Sequence, residues 1–370
     1  MKTINFRQSF KEEELDFKIA YLIDSIALTV PSLRRYSENL KSIFPKISQL
    51  LQLTAPIESE NKHYPIIKVD NAIPFQFFMA DLKSQRLAFN HLLKENGIEE
   101  KDHIFHFTTS SIPPIILSSK NIFVTVHDLI SFDSEFNKTP GFGKFIHLYR
   151  YSLKKWMENA TNIITQTNYI RDELKTLFPK FQGEIRTIYP YVSDSFYELE
   201  KKEQLREKLH LPTNKHLILS VSALSKRKNL EMVESVFKNI GEEFKLVRVG
   251  PKIGSSITFN GIDDRTLNEL YNACDALYFP TLSEGFGYPI VEAFNAGLPV
   301  CSSDISVIKE TSGNAAVLVD PYDLDKNIEG IYKVIENSSY YAAKGKERAK
   351  FFSKDNMKKN LIKYYNKSKQ

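Results

Sequence analysis

Two cysteines in 370 residues, Cys274 and Cys301, are too few for a disulfide framework, and neither has a Cys-x-x-Cys partner or a neighbouring histidine. Both read as buried core thiols. Glycine is scarce as well, at 14 residues, and nowhere does Gly-x-Gly-x-x-Gly open a helix after a strand, which removes the fingerprint of a dinucleotide-dependent oxidoreductase. Long apolar runs are missing: stretches such as Ile19 to Ile23 and Ile112 to Leu117 fall far below the roughly 18 to 20 residues that span a bilayer. The first thirty residues put Lys11, Glu12, Glu13, Glu14 and Asp16 where a signal peptide needs an unbroken apolar core, so the expected location is the cytoplasm. No large charge excess exists either, since 50 Lys and Arg against 45 Asp and Glu give +5, divided as +3 over residues 1–190 and +2 over the rest. Neither half has the basic balance of a nucleic-acid-binding domain. No Asp-x-Asp metal motif is expected in the chain, and no metal ligands are expected.

What the chain does contain is enough apolar sequence, 42% of residues, to bury a core in each of the two domains that its length suggests. Short strand-like runs alternate with helix-period segments, the signature of parallel α/β architecture. In the first half, residues 17–22, 104–108, 121–127, 161–165 and 186–189 read as strands, with helices over 80–96 and 142–158. Tyr189 to Phe196, broken by Pro190, reads as a linker, followed by a polar helix over 200–209. Strands resume at 216–221, 245–250, 257–260, 275–279, 299–302 and 315–319. Two doubly wound units joined in this way face each other across a cleft, and ligands bind outside the carboxyl ends of such strands.

The most informative stretch is Leu270 to Val300. A strand ends at Phe279, and the turn Glu284-Gly285-Phe286-Gly287 opens a helix with Pro289 at its first position. Glycines admit a ligand close to the backbone, and the first N–H groups of the helix favour a phosphate. Glu284 in the turn and Glu292 eight residues later suit hydroxyl groups of a sugar and a ribose as acceptors. A solvated pair of charges flanking a turn is the bland alternative.

This frame resembles the glycosyltransferase family 4, or group 1, enzymes of the GT-B fold, whose hallmark is Glu, seven residues, Glu in E-G-F-G-x-P-x-x-E-A. Phe259-Asn260-Gly261, Leu270-Tyr271, Ser303 to Glu310 and Leu318 to Pro321 extend the resemblance, and Val124 to Leu129 carry a weaker echo of it in the first half. The resemblance implies transfer of a sugar from a UDP- or GDP-linked donor to a saccharide or lipid-linked acceptor, with retention and without a metal or other cofactor. It implies donor-sugar contacts for Glu284, ribose contact for Glu292, and main-chain contacts at Gly285, Phe286 and Gly287. Arg227 and Lys228, just after the strand 216–221, would stabilise the departing diphosphate. Relatives often have an arginine where this chain has Ala223, which moves that role to Arg227; a plain charged loop is the alternative. His127 would hydrogen-bond the donor sugar or serve as a satisfied core histidine. Leu28 to Tyr36 stands where relatives have a glycine-rich, phosphate-facing loop, and Arg34 or Arg35 either substitutes for it or decorates a helix surface.

The last thirty residues carry ten Lys and Arg against Glu347 and Asp355. Met357, Leu361, Tyr364 and Tyr365 form one apolar stripe after Ser353 as N-cap, with lysines 358, 359, 363 and 367 outside it. In the resembling family the final helix returns to the first domain, which divides the chain into 1–192 plus 353–370 and 193–352. The rival is a surface helix held on anionic lipid at the inner membrane face. Two other classes stay open: a non-catalytic sugar-binding or partner subunit, and a nucleotide-sugar epimerase on the same fold.

Overall fold

The computed structural model describes residues 17–24, 31–53, 89–90, 93–111, 121–133, 143–199 and 201–367. Apolar runs without polar alternation become strands covered on both faces, as parallel sheets require. In the first half they are β1 (Lys18–Asp24), β2 (Ser48–Leu53), β3 (His103–Phe107), β4 (Ile122–Val126), β5 (Asn162–Thr165) and β6 (Glu184–Thr187), paired in parallel in the order β2-β1-β3-β4-β5-β6. In the second half they are β7 (His216–Val221), β8 (Phe244–Val249), β9 (Ile257–Phe259), β10 (Ala276–Phe279), β11 (Val300–Ser303) and β12 (Ala316–Val319), parallel in the order β12-β11-β10-β7-β8-β9. Both are doubly wound α/β units. The strand order reverses between β1 and β3 in one sheet and between β7 and β10 in the other, and the loops leaving those strands form the crevices in which such sheets bind ligands.

All six strands of the second half lie where the sequence puts them. In the first half, β2 is an addition: Ser-Gln-Leu-Leu-Gln-Leu has no β-branched residue, and as an edge strand it pairs with β1 alone. The strand read at 186–189 is instead β6, and the helix Asn168–Leu177, N-capped by the Thr167 side chain, is a further addition. The segment around Arg34 and Arg35 is the helix Pro31–Ile43, whereas residues 28–30, and most of the helix expected over 80–96, lie outside the described residues.

The chain crosses between the units twice. It leaves the first through Tyr189 to Phe196 and returns through Lys350–Phe352, where Val192 N donates to Phe352 O at 3.4 Å and the Tyr189 ring meets Phe351 and Phe352 edge-on at 5.2 and 5.8 Å. The final helix, Lys354–Lys367, then packs on the first sheet. Met357, Leu361, Ile362, Tyr364 and Tyr365 are buried in one cluster with Ile19, Tyr21, Phe44, Ile104 and Phe123. Tyr365 Oη bonds His106 Nδ1 at 2.7 Å, and Tyr364 Oη donates to Glu184 O at 2.8 Å. At about 2 kcal/mol for each large apolar side chain buried, the stripe is committed to protein. Its lysines stay outside, with Lys367 paired to Glu184 at 2.9 Å. Among the described residues no helix is long and apolar enough to cross a membrane.

Candidate active site

The two loops at the β7/β10 reversal are joined to each other. After β7 the chain reaches a 3-10 turn, Lys226–Lys228. After β10, Leu282 N donates to the Arg227 carbonyl at 2.7 Å, and Thr281 Oγ1 lies 3.0 Å from the same oxygen. That junction places Glu284 between two cations: Oε2 lies 2.9 Å from Arg227 Nη1, and Oε1 accepts from Lys228 Nζ and, at 3.0 Å, from Thr281 Oγ1. Burial alone would raise the Glu284 carboxyl, but Arg227 and then Lys228 hold it down at about 2, so it is ionised throughout the working range. Burial lowers Lys228 to about 8; Glu284 opposes this and the Arg227 charge adds to it. Lys226 is exposed, as is Ala223. The sequence reading brought Glu284, Arg227 and Lys228 into one site, and they are in direct contact.

The glycine turn is less a gap for ligand than a contact between domains. A side chain on Gly285 would place Cβ 2.1 Å from the His127 carbonyl oxygen of the first domain. The Gly285 carbonyl accepts from Thr167 Oγ1 at 3.1 Å, and Gln166 Nε2 bonds Tyr288 Oη at 3.0 Å. Gly287 adopts φ +91° as N-cap of the helix Tyr288–Asn295, a conformation that suits glycine. Pro289 is therefore the second helical residue rather than the first. Phe286 points its ring into the core against Phe352 at 5.3 Å, which leaves its main chain, with that of Gly287, at the mouth of the helix. Nearby, Glu310 reaches back to the first domain, accepting from Asn168 N (2.6 Å), Tyr169 N (2.9 Å) and Tyr189 Oη (2.6 Å).

Glu292 shares no partner with Glu284. Its Oε1 accepts from Arg35 Nη1 at 2.5 Å and its Oε2 from Tyr271 Oη at 2.8 Å, while Arg35 Nη2 pairs with Asp264 Oδ1 at 2.6 Å. The Arg35 guanidinium also sits 5.4 Å over the Phe196 ring. Arg35 thus faces carboxylates, not the Lys226–Lys228 turn, and Arg34 is exposed.

His127 directly follows β4, with its ring buried and Nε2 2.6 Å from the Thr108 carbonyl. Burial lowers its pKa, with Thr108 and Gln166 opposing the shift, so the ring is neutral and already hydrogen-bonded, while its own carbonyl abuts Gly285. An Asp-x-Asp spacing does occur in the chain, at Asp323-Leu324-Asp325, contrary to the sequence reading. Its first member caps the helix Leu324–Glu336 by accepting from Lys326 N at 3.0 Å, and among the described residues no group of three or more His, Cys, Asp or Glu is placed to hold a metal ion. The reading missed Thr281, Asp264 and Glu310 as site residues; Tyr271 lay within the resembling Leu270-Tyr271 pair without a role.

Comparison with known proteins bears on the fold and the family. Residues 201–352 match the family described as Glycosyl transferases group 1. The chain is 24% identical over 291 residues to O-antigen chain mannosyltransferase B of Escherichia coli, covering 72% of this chain and 74% of that protein. Sucrose-phosphate synthase of Thermosynechococcus elongatus superposes with a TM-score of 0.75 at 16% identity, over 95% of this chain and 98% of that one. Anabaena HepE, bound to UDP and glucose, superposes with a TM-score of 0.64 at 14% identity, over 94% and 98%. With two facing doubly wound units that superpose on glycosyltransferases over nearly their whole length, the chain has the GT-B fold, and its residues 201–352 are similar to the group 1 glycosyltransferases.

Proposed function

We propose that this enzyme moves a hexosyl unit, mannose being the first candidate, from a UDP- or GDP-linked donor to a saccharide or lipid-linked acceptor, with retention and without a metal. The observation that carries the reading is the buried contact of Glu284 with both Arg227 and Lys228 at the β7/β10 reversal. In that arrangement Arg227 and Lys228 take the diphosphate, and the N–H groups of Phe286 and Gly287 add fixed dipoles at the helix start. Glu284, held ionised, accepts hydrogen bonds from donor-sugar hydroxyls, and Glu292 accepts them from the ribose. As the bond from the anomeric carbon to the phosphate oxygen breaks, negative charge grows on the leaving diphosphate. Preorganised cations stabilise it there, and the acceptor hydroxyl oxygen bonds to the same carbon as its proton passes to the departing phosphate oxygen. His127, its ring hydrogen-bonded to Thr108 O, packs as a neutral imidazole at the donor side of the cleft. The mannose assignment draws on the O-antigen mannosyltransferase relative, and the nucleoside diphosphate on the UDP-bound neighbour.

Turnover tests the reading. Incubation with UDP-, GDP- and ADP-linked sugars in excess EDTA should release nucleoside diphosphate, faster when acceptor saccharide is present. Release that stops with EDTA and returns with Mg²⁺ or Mn²⁺ refutes the metal-free mechanism. A protein that binds these donors and never turns over is a sugar-binding subunit instead.

A further inference from the structure

Glu292 takes its two strongest partners from different domains. Tyr271 belongs to the helix Asp264–Ala273 of its own domain, and Asp264 lies seven residues earlier, two turns along nearly the same face. Arg35 comes from the helix Pro31–Ile43 of the other domain and places one guanidinium nitrogen on each carboxylate, 2.5 Å from Glu292 and 2.6 Å from Asp264, with Phe196 beneath it. The side chains of Arg35 and Glu292 are 19% and 2% exposed, so this is a largely desolvated pair. A planar fork bridging two acids fixes both distance and direction, which a lysine cannot reproduce.

We propose that Arg35 is a positioning residue for ribose recognition: it orients the Glu292 carboxylate from across the cleft, so that the nucleotide's hydroxyls are read fully only when the first domain is docked. The inference rests on the assignment of Glu292 to the ribose. Its physical basis is that a buried carboxyl without a cation takes up a proton. Burial already pushes Glu292 above its ordinary value, Arg35 and the Tyr271 hydroxyl pull it back, and Asp264 pushes it up again. Tyr288, four residues earlier on the same helix, is also coupled to Glu292, and burial keeps its hydroxyl protonated. Without Arg35 the carboxyl gains a proton at higher pH and loses acceptor capacity towards two adjacent hydroxyls.

The test compares the affinity of GDP or UDP with that of its 2′,3′-dideoxy form, in wild type, Arg35→Met and Arg35→Lys, at pH 6 and pH 8. A hydrogen bond to a charged acceptor should give the wild type a ribose preference of at least about tenfold at both pH values. Arg35→Met should show a smaller preference that shrinks further at pH 6, whereas Arg35→Lys, which keeps the charge, should show little pH dependence. Because each preference is a ratio within one protein, general loss of affinity or stability cancels. A wild-type preference retained in Arg35→Met, or one reduced equally at both pH values, overturns the role of Arg35 and leaves Glu292 on the ribose. A wild type indifferent to the hydroxyls removes the ribose contact itself, and the inference with it.

Discussion

Glu284→Gln should lower kcat by about 10² or more, while the nucleoside diphosphate binds at least as tightly as to the wild type. The two effects have one origin. Glu284 is ionised, buried and bonded to both Arg227 and Lys228, so the amide replaces one acceptor oxygen by an NH2 donor, weakens the other, and removes one negative charge beside the diphosphate. The uncompensated cations should also destabilise the free protein by roughly 3 kcal/mol, the usual effect of breaking a buried ion pair. Added nucleoside diphosphate should restore much of that loss. Steady-state kinetics, calorimetric titration and thermal melts with and without nucleotide check each part. Near wild-type turnover, or a weakened diphosphate complex, contradicts the placement of Glu284.

Gly285→Ala tests the contact between domains. The new methyl group would meet the His127 carbonyl oxygen at 2.1 Å, backbone against backbone, so no side-chain rotation relieves it. The turn must move by an ångström or so, loosening the Thr167 bond to Gly285 O and the Gln166 bond to Tyr288. Misplacement on that scale can cost about 10²-fold in rate. Transfer should fall by that order, and nucleoside diphosphate binding, which draws on the loops of the second domain, should change far less. Full activity in Gly285→Ala would mean that the transfer reaction does not pass through this docked arrangement of the domains.

The second domain was legible in the sequence because its strands are short apolar runs punctuated by turns, and because the Glu284 to Glu292 frame has fixed spacing. The basic pair at 227–228 could be assigned to the same site because it leaves a neighbouring strand at the same end of the sheet. The first domain was harder to read. β2 lacks the β-branched residues that mark a strand, and Arg35 sits in a helix whose relation to Glu292, 257 residues away, exists only in three dimensions. The Gly285 turn shows the same limit, since sequence explains a glycine by the ligand it admits, while the structure brings a carbonyl of the other domain against it. His127 follows a strand as the sequence indicates, but its hydrogen bond to Thr108 O depends on β3 and β4 being neighbours. Local pattern reveals which loops carry chemistry, and the partners across the cleft require the fold.

The most direct test of the diphosphate site is the affinity for UDP or GDP measured across pH in wild type and Lys228→Ala. Lys228 titrates at about 8 in the protein, and a bound diphosphate would raise that value. Binding through the protonated lysine should therefore be strong near pH 7 and weaken as pH rises through 8, by about tenfold or more at about pH 9.5. Lys228→Ala should bind weakly at both pH values, without that fall. A wild-type affinity unchanged between those pH values, together with a Lys228→Ala variant that binds like wild type, would contradict the assignment of the diphosphate to this pair.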